Sequence, residues 1–326
     1  MRLEKLRKVF LYLPAPAAFI LLLLKADVAA EAARAGLDLC MRSVIPSLFP
    51  ALVLTNLLIR TGLPPRLLNA PGSVFERLFH IRKGALTAYL TGLVGGYPLG
   101  AAAAAECCRL GDCSEEEAGR LLVFANNCSP AFLFGMVGSR GADGWRHALL
   151  LLIIQWSLSL WLGVFLGVGC SASQAASSQQ NKAASSFPVK FTSSVRNGGR
   201  SILLICAYVV FFSVFTAFLP EHPLLRGFFE LTGGLMLTEA GESGLVVSAF
   251  LLGWGGLSVL CQVYSCLEGS GIPAGKYLPY RILLGLLMAV SVLLYRIGSA
   301  YLLLMGAGLT AAIFVKRSRN MRHADI

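Results

Sequence analysis

Apolar residues along this chain come in blocks of about twenty, separated by short segments that carry nearly all of the charge. An α-helix needs roughly 20 residues to cross a hydrocarbon core about 30 Å thick, so such a block has the length of a membrane span. The short alternating segments of a strand barrel are not visible. The pattern predicts an all-α, polytopic helical membrane protein. The blocks that contain no charged residue are 84–105, 121–139, 148–170, 201–220, 243–267 and 282–295.

The composition agrees with this class. Hydrophobic residues make up 56% of the 326 residues and charged residues 14%, whereas a soluble domain has roughly 45–50% and 25%. The net charge of +11 is concentrated in short loops and at both ends, where basic residues report membrane topology. The sequence offers no soluble domain with a basic surface, which argues against nucleic-acid binding. We therefore expect a multi-pass cell membrane protein that is embedded in the lipid bilayer.

Loop charges predict which segments share a side of the membrane. Residues 60–83 carry five basic side chains, so this loop is predicted to be cytoplasmic. Acidic residues outnumber basic ones from Glu106 to Arg120, which predicts that this second loop lies outside and that residues 84–105 cross between the two. Ser114 in the same loop precedes three glutamates, a pattern that favours a helix starting there.

The number of spans is not fixed by the pattern. Nine apolar blocks are present if each crosses once, but two basic termini favour the cytoplasm and require an even number. One interrupted block is therefore expected to be re-entrant, or residues 228–237 to cross with a neighbouring block.

The order of the blocks divides the chain into two membrane halves. Residues 1–35 are predicted to form an N-terminal anchor helix, with a cleaved signal peptide as the alternative. A first half at 36–170 and a second at 197–297 are joined by a polar, low-complexity tract at 171–196, which is predicted to be a flexible linker. Residues 298–326 are predicted to form a short C-terminal helix and a basic tail.

Glycine spacing favours an internal repeat. Gly95 and Gly96 precede Gly255 and Gly256 by 160 residues. Duplicated membrane halves with broken helices in matching positions are the usual build of secondary transporters. We therefore expect two related halves, each with a helix broken at its glycine pair.

Three apolar blocks are interrupted by residues that oppose a continuous helix, at 95–100, 126–130 and 254–262. A proline inside a helix costs about 3 kcal/mol or more, and a glycine costs about 1 kcal/mol relative to alanine. Within the membrane, irregular backbone is tolerated only where it is buried in protein or lines a water-filled cavity. The N-termini of the half-helices can bind anions at such a site. The interruptions predict discontinuous or re-entrant helices around a polar substrate site. The alternative is that the glycines only permit close helix packing and the proline a kink.

Backbone and uncharged polar side chains at the interruptions supply the predicted substrate site. Asn126, Asn127 and Ser129 are expected to line a cavity, because buried amides add donors without the cost of a buried cation. Satisfying the backbone that Pro130 frees is their alternative role. Glu230 is a predicted ion or proton relay at a half-helix N-terminus, the alternative being an interfacial glutamate in water. The full predicted substrate-binding set is Gly95, Gly96, Tyr97, Pro98, Asn126, Asn127, Ser129, Trp254, Gly256, Ser258 and Gln262, with Ser258 and Gln262 opposite the asparagines.

Motifs of catalysis or metal binding are absent from the sequence. The nine cysteines show no metal-ligand spacing, and the four histidines are predicted to lie in loops or the tail. HExxH, Walker and GxSxG motifs are missing. The sequence predicts no enzyme, no metal site and no cofactor, and leaves the oligomeric state open.

Four motifs, in order along the chain, resemble those of the YlbJ family of sporulation integral membrane proteins. This family is also called stage V sporulation protein V, and it falls within the nucleoside-recognition or Gate-domain group. The resemblance runs from about Gly36 to Tyr295. The motifs are "GLVGGYPLGA" (92–101), "FANNCSPAFLFGMVG" (124–138), "FELTGG" (229–234) and "WGGLSVLCQV" (254–263).

The resemblance implies a transporter that moves dipicolinic acid across the outer forespore membrane of a spore-forming bacterium. A rigid planar dicarboxylate fits a site that accepts anions beside aromatic residues such as Tyr97 and Trp254. Two alternatives remain open. One is a nucleoside-type carrier, which the group name suggests, and the other is a structural or assembly protein of the spore envelope whose interruptions serve only helix packing.

Overall fold

A computed structural model describes residues 14–61, 65–170 and 186–298 of the chain. All regular secondary structure in this part of the chain is helical, which confirms the predicted all-α fold. The C-terminal helix and tail beyond residue 298, residues 1–13 of the anchor and residues 171–185 of the linker lie outside the described residues. The division into two halves at residue 197 stays a prediction.

The first half contains a long helical arm followed by shorter helices. The arm comprises α1 (Pro14–Leu24), α2 (Ala26–Leu39), a π-helical turn (Cys40–Val44) and α3 (Ile45–Thr61). After the arm come α4 (Pro65–Phe79), a 3-10 turn (Lys83–Ala85), α5 (Leu86–Gly95), α6 (Leu99–Arg109), α7 (Glu115–Ala125), α8 (Pro130–Leu133), a π-helical turn (Phe134–Gly138) and α9 (Gly144–Leu166).

A helix begins inside the segment 171–196 that the sequence predicted to be a flexible linker. The helices of the second half are α10 (Phe187–Ala217), α11 (Pro223–Phe229), α12 (Leu231–Met236), α13 (Glu242–Trp254), α14 (Gly256–Leu267) and α15 (Tyr277–Ile297). Residues 187–196 of the predicted linker are therefore helical, because they form the first turns of α10.

Five helical segments of the described residues are long and apolar enough to cross a membrane: Glu115–Gly138, Gly144–Leu166, Phe187–Ala217, Glu242–Leu267 and Tyr277–Ile297. The two interrupted segments have 56% and 67% of their apolar windows buried, whereas Phe187–Ala217 has 17%. The interrupted segments thus occupy the interior, and α10 lies at the periphery.

Helices α5 and α6 form a hairpin in place of the single span predicted for residues 84–105. The chain reverses direction at Gly96, Tyr97 and Pro98. A Cβ atom on Gly92 would lie 3.1 Å from the Cα atom of Gly100 and would collide with the carbonyl oxygen of Ala125. Only glycine allows the two arms of the hairpin to approach each other and α7 so closely.

The hairpin brings the basic and the acidic loop to the same end of the molecule. Arg60 Nη2 lies 2.7 Å from Glu106 Oε1, and Arg82 Nε lies 2.9 Å from Glu117 Oε2. The prediction that these loops lie on opposite sides is wrong. The acidic side chains of one loop pair with basic side chains of the other, so the charge excess in each loop did not report sidedness.

The second half repeats the order of elements in the first half and runs in the opposite direction. Helices α11 and α12 form a second, shorter hairpin, in which Gly227 packs against Gly234. Gly271, which follows α14, lies against Glu115 at the start of α7, so the interrupted helices α7–α8 and α13–α14 are antiparallel. Helix α10 is antiparallel to the first arm, because Gly198 faces Val53 whereas Gly36 faces Ser213.

Apart from α4 (Pro65–Phe79), which has no counterpart in the second half, each half thus contains a long helix or arm, a hairpin, an interrupted helix and a continuous helix. The two hairpins enter from opposite ends, and their tips meet the interrupted helices half-way, with 13 residues before and 12 after the break in the second half. Inverted halves with interrupted helices are typical of secondary transporters. This organisation confirms the prediction of two related halves with broken or re-entrant helices.

Residues that lie 160 positions apart, as the glycine pairs do, are not at equivalent positions in the two halves. Gly96 (φ +74°) lies at the tip of a hairpin, whereas Gly255 (φ +88°) separates α13 from α14. The break that matches Gly255 in element order is instead at residues 126–129. Both glycine pairs end helices, as predicted, because positive φ favours glycine, but they are not equivalent positions.

We predict that Gly92→Ala strongly reduces the amount of folded protein, since the new methyl group has no space between α5, α6 and α7. The matched control is Gly135→Ala, where nothing lies within 4 Å of the added Cβ and the change is expected to be neutral or slightly stabilising. Thermal unfolding in detergent gives the melting temperature of each variant, and gel filtration gives the amount of folded protein. Equal melting temperatures for the two variants would contradict the close hairpin packing.

We predict that single cysteines at Lys83 and Glu116 react with a membrane-impermeant maleimide from the same side of the membrane, and a cysteine at Asp143 from the other. The reason is that α5 and α6 return to the end where they begin. Labelling of intact and permeabilised cells, in a background with the reactive native cysteines replaced by serine, gives the sidedness. Labelling of positions 83 and 116 from opposite sides would mean that residues 84–105 cross the membrane.

Candidate functional site

The two interrupted helices meet around one buried cation. Arg281, on the second turn of α15, has 2% of its surface exposed and belongs to the bulkiest fully enclosed side chains of the described residues. An arginine inside a membrane segment is costly, at about 2.5–3.5 kcal/mol or more at the helix centre, and by default marks a functional site. The contacts of this side chain therefore define the candidate site.

Arg281 donates hydrogen bonds to oxygens from both interruptions. Its Nη1 donates to the carbonyl oxygen of Asn126 at 3.1 Å and to Asn127 Oδ1 at 3.4 Å. Its Nε donates to the carbonyl oxygen of Trp254 at 3.4 Å, and its Nη2 donates to that of Leu252 at 3.3 Å. These carbonyls lie where α7 and α13 end, so they lack donors within the helix. All four acceptors are neutral.

The tip of the first hairpin completes this centre. The backbone N–H of Tyr97 donates to the carbonyl oxygen of Asn127 at 2.6 Å. A Cβ atom on Gly96 would lie 2.5 Å from the backbone nitrogen of Ser129, so the tip requires glycine to dock against the break. Ser129 Oγ accepts from Phe132 N at 3.2 Å and caps α8. The hairpin thereby fixes the shape of the first interruption.

Two tyrosine rings flank the guanidinium group. The Cζ atom of Arg281 lies 5.6 Å from the ring centroid of Tyr97 and 6.0 Å from that of Tyr277, within the range of cation–π attraction. The Tyr277 hydroxyl oxygen accepts from Asn126 Nδ2 at 2.6 Å. The cation is therefore enclosed by aromatic faces and neutral oxygens.

The two asparagines at the first interruption differ in their contacts. Asn127 Nδ2 donates to the carbonyl oxygen of Phe124 at 2.8 Å, which satisfies backbone freed by the break. Asn126 Oδ1 is buried without a hydrogen-bond partner, as is Gln155 Oε1 on α9, whose Nε2 donates to the Cys128 carbonyl at 2.9 Å. Buried polar atoms without partners are rare in native proteins and call for an explanation such as a ligand or water.

The predicted residues of the second half lie at the second hairpin and along α14. Trp254 Nε1 donates to the carbonyl oxygen of Phe228 at 2.9 Å, and the two rings stack with centroids 5.1 Å apart. The Trp254 ring thus faces the hairpin, and its carbonyl oxygen faces Arg281. Gly256 (φ +87°) lies against the backbone nitrogen of Leu231 at the hairpin tip.

Glu230 lies at a half-helix N-terminus, where the sequence placed it. Its carboxylate accepts from Thr232 N at 2.9 Å and from Gly233 N at 2.6 Å. This is an N-cap that holds the tip of the second hairpin. A role as an ion or proton relay stays a prediction.

Ser258 and Gln262 make their polar contact with each other. Gln262 Nε2 donates to Ser258 Oγ at 3.3 Å, one turn apart on α14. Gln262 also lines a small hollow with Ser201 and Ser265, beside α10. Their place in a shared cavity with the asparagines stays a prediction, as do the ligand contacts of Gly95 and Pro98, the residues that flank the first hairpin tip.

Sequence reasoning missed Arg281. The residue directly precedes the charge-free block 282–295, at the edge of a predicted span, where a basic side chain normally extends to the membrane interface. The signal that would have found it is a lone arginine at the edge of a block whose neighbours carry interruptions. Gly271 lies against Glu115, and Pro273 lies against Gly119. The segment between α14 and α15 therefore runs back along α7 toward the first interruption, and this path places Arg281 beside Asn126.

These features define a multi-pass, all-α membrane protein with an enclosed polar centre. A curated relative is similar over most of its length. The chain is 26% identical, in an alignment 316 positions long, to the sporulation integral membrane protein YlbJ of Bacillus subtilis (strain 168); the alignment covers 81% of this chain and 76% of the relative. This similarity confirms the resemblance seen in the motifs and supports the assignment to the YlbJ family. No family model matches the chain, and no solved structure matches it.

We predict that Arg281→Met lowers the melting temperature sharply, because each buried carbonyl left without a donor costs about 1–3 kcal/mol. The control is Arg296→Met on the same helix. That side chain is 44% exposed and lies 3.8 Å from Glu242, so its loss should change stability by about 0.5 kcal/mol or less. Thermal unfolding in detergent compares the two. Similar, small shifts in both variants would contradict the bridging role of Arg281.

Proposed function

We propose that the protein is a non-enzymatic membrane transporter of a small anionic metabolite, and that Arg281 binds a carboxylate of the substrate. One observation carries this proposal: a buried guanidinium, held where two interrupted helices meet, has only neutral oxygens as hydrogen-bond acceptors. Neutral oxygens satisfy its N–H groups but leave its positive charge uncompensated.

A carboxylate suits this centre better than a neutral ligand. Four of the five guanidinium N–H groups donate to neutral oxygens in the structure. A hydrogen bond from the guanidinium to a carboxylate is charge-assisted and roughly twice as strong as a neutral one, so a carboxylate can replace one or more of these neutral acceptors. Helix α14 also begins at the centre, with Gly256 as its first residue, and the N-terminus of a helix favours negative charge. Both contributions grow when water is excluded from the site.

The relative extends the proposal to a biological role. Its description as a sporulation integral membrane protein supports a membrane role in sporulation for this chain. Within that role we propose dipicolinic acid as the substrate and the outer forespore membrane as the location, as the motif resemblance implies. The rings of Tyr97 and Tyr277 beside Arg281 offer flat apolar faces that suit a planar aromatic acid.

A nucleoside-type carrier is the second candidate. The observation that favours it is the pair of buried amide oxygens without partners, Asn126 Oδ1 and Gln155 Oε1, because amide groups can pair with the edge of a base. A nucleoside would leave the charge of Arg281 uncompensated, which is why an anion is the first choice.

We predict that the purified protein in proteoliposomes takes up labelled dipicolinate, and that Arg281→Lys reduces uptake at least about tenfold. Lysine keeps the charge but loses the planar fork, and a lost charge-assisted hydrogen bond is worth about 1.5–3 kcal/mol. Asn126→Ala should also reduce uptake. Arg296→Met is the matched control and should transport like the wild type.

Competition and genetics separate the alternatives. Uptake of labelled uridine that excess unlabelled uridine inhibits, with no uptake of dipicolinate, would identify a nucleoside carrier. Folded protein that takes up neither compound would favour a structural or assembly protein. In the native bacterium, spores of a strain carrying Arg281→Lys should contain less dipicolinic acid than spores of the Arg296→Met strain.

A further inference from the structure

We propose that the transported species carries one net negative charge, so that a dicarboxylic substrate crosses as its monoanion, with one carboxyl group protonated. This inference rests on the proposed function and names the charge state that the same site selects.

The net charge of the centre follows from its buried ionisable side chains. Among the described residues, Arg281 is the one basic side chain that is buried. The buried acidic side chains, Glu106 and Glu117, lie at the end of the molecule, where they pair with Arg60 and Arg82 at 2.7 and 2.9 Å. The balance at the centre is therefore a single positive charge.

The groups that surround Arg281 add no charge to the centre. The titratable groups that face it are Tyr97 from the first hairpin, Cys128 from the first interruption and Tyr277 from its own helix. Tyrosine and cysteine side chains are ordinarily neutral at pH 7. Helix α13 contributes only the carbonyl oxygens of Trp254 and Leu252.

The first interruption likewise contributes neutral groups, the carbonyl oxygen of Asn126 and the amide of Asn127. Helix α9 presents the neutral amide of Gln155 to the same break. No element packed around the guanidinium therefore supplies a second charge from the residues described.

The single positive charge of the centre determines which charge state of the substrate binds. A monoanion bound to Arg281 makes the centre neutral overall. The attraction between the two charges then offsets most of the hydration free energy that both lose when water is excluded. A dianion leaves one negative charge without a cationic partner in a low-dielectric interior, and its desolvation cost is not offset. The site thus discriminates by charge, and the second carboxyl group is accommodated as a neutral acid whose O–H can donate a hydrogen bond to an acceptor such as Asn126 Oδ1.

A pH dependence follows from the substrate rather than from the protein. Above the pKa of its second carboxyl group, the monoanion fraction of a dicarboxylic acid falls about tenfold for each pH unit. Uptake of the dicarboxylic acid at low concentration should therefore rise as pH falls. A permanent monoanion of the same shape should show no such dependence.

The experiment compares dipicolinic acid with its monoamide, 6-carbamoylpyridine-2-carboxylate, in proteoliposomes containing the wild-type protein. We expect initial uptake of dipicolinate to rise about tenfold per unit between about pH 8 and pH 6, while uptake of the monoamide stays constant. At about pH 7.5 the monoamide should enter faster. Because the monoamide uses the same protein at each pH, it controls for titration of protein groups.

Three outcomes would overturn the inference. Uptake of dipicolinate that is independent of pH, with the monoamide excluded, would show that the dianion is the substrate. Uptake that requires added calcium ions would show that a metal complex balances the charge. If folded wild-type protein takes up neither compound at any pH, the proposed function itself fails, and this inference fails with it.

Discussion

The hydrogen bonds of the Arg281 guanidinium are the interaction on which the centre of this protein depends. Two helices that end inside hydrocarbon leave main-chain carbonyls without donors, and lipid offers none. One planar side chain reaches Asn126 and Asn127 on one side and Trp254 and Leu252 on the other. The same contacts leave an uncompensated positive charge at the centre. Stability of the two interruptions and affinity for an anion therefore have one origin.

The inverted halves explain how such a centre is built. Each hairpin brings its tip to an interruption half-way through the molecule, one from each end. Close glycine contacts, Gly92 with Gly100 and Gly227 with Gly234, keep both hairpins narrow enough to fit beside an interrupted helix. At the interruptions themselves, Asn126, Asn127, Cys128, Gly255 and Gly256 are buried in protein, which is the condition for irregular backbone to survive inside a membrane.

Local rules predicted much of this fold, and tertiary contacts decided the rest. Ser114 begins α7 with a capping box to Glu117, and the breaks at Gly96, Asn126 and Gly255 are where glycine, asparagine and proline indicated. The hairpin was missed because residues 84–105 have the length and apolarity of a span, and neither property distinguishes crossing from returning. Arg281 was missed because its importance arises from contacts that the local sequence does not show, those with Asn126 and Asn127 lying more than 150 positions away.

The most direct test of the account is an experimental structure in a lipid nanodisc, determined with and without the substrate anion. In the free protein, we expect the guanidinium of Arg281 to bridge both interruptions. In the complex, a carboxylate should lie against that guanidinium between the rings of Tyr97 and Tyr277. An Arg281 side chain that points to lipid headgroups, or an anion bound away from both interruptions, would contradict the account.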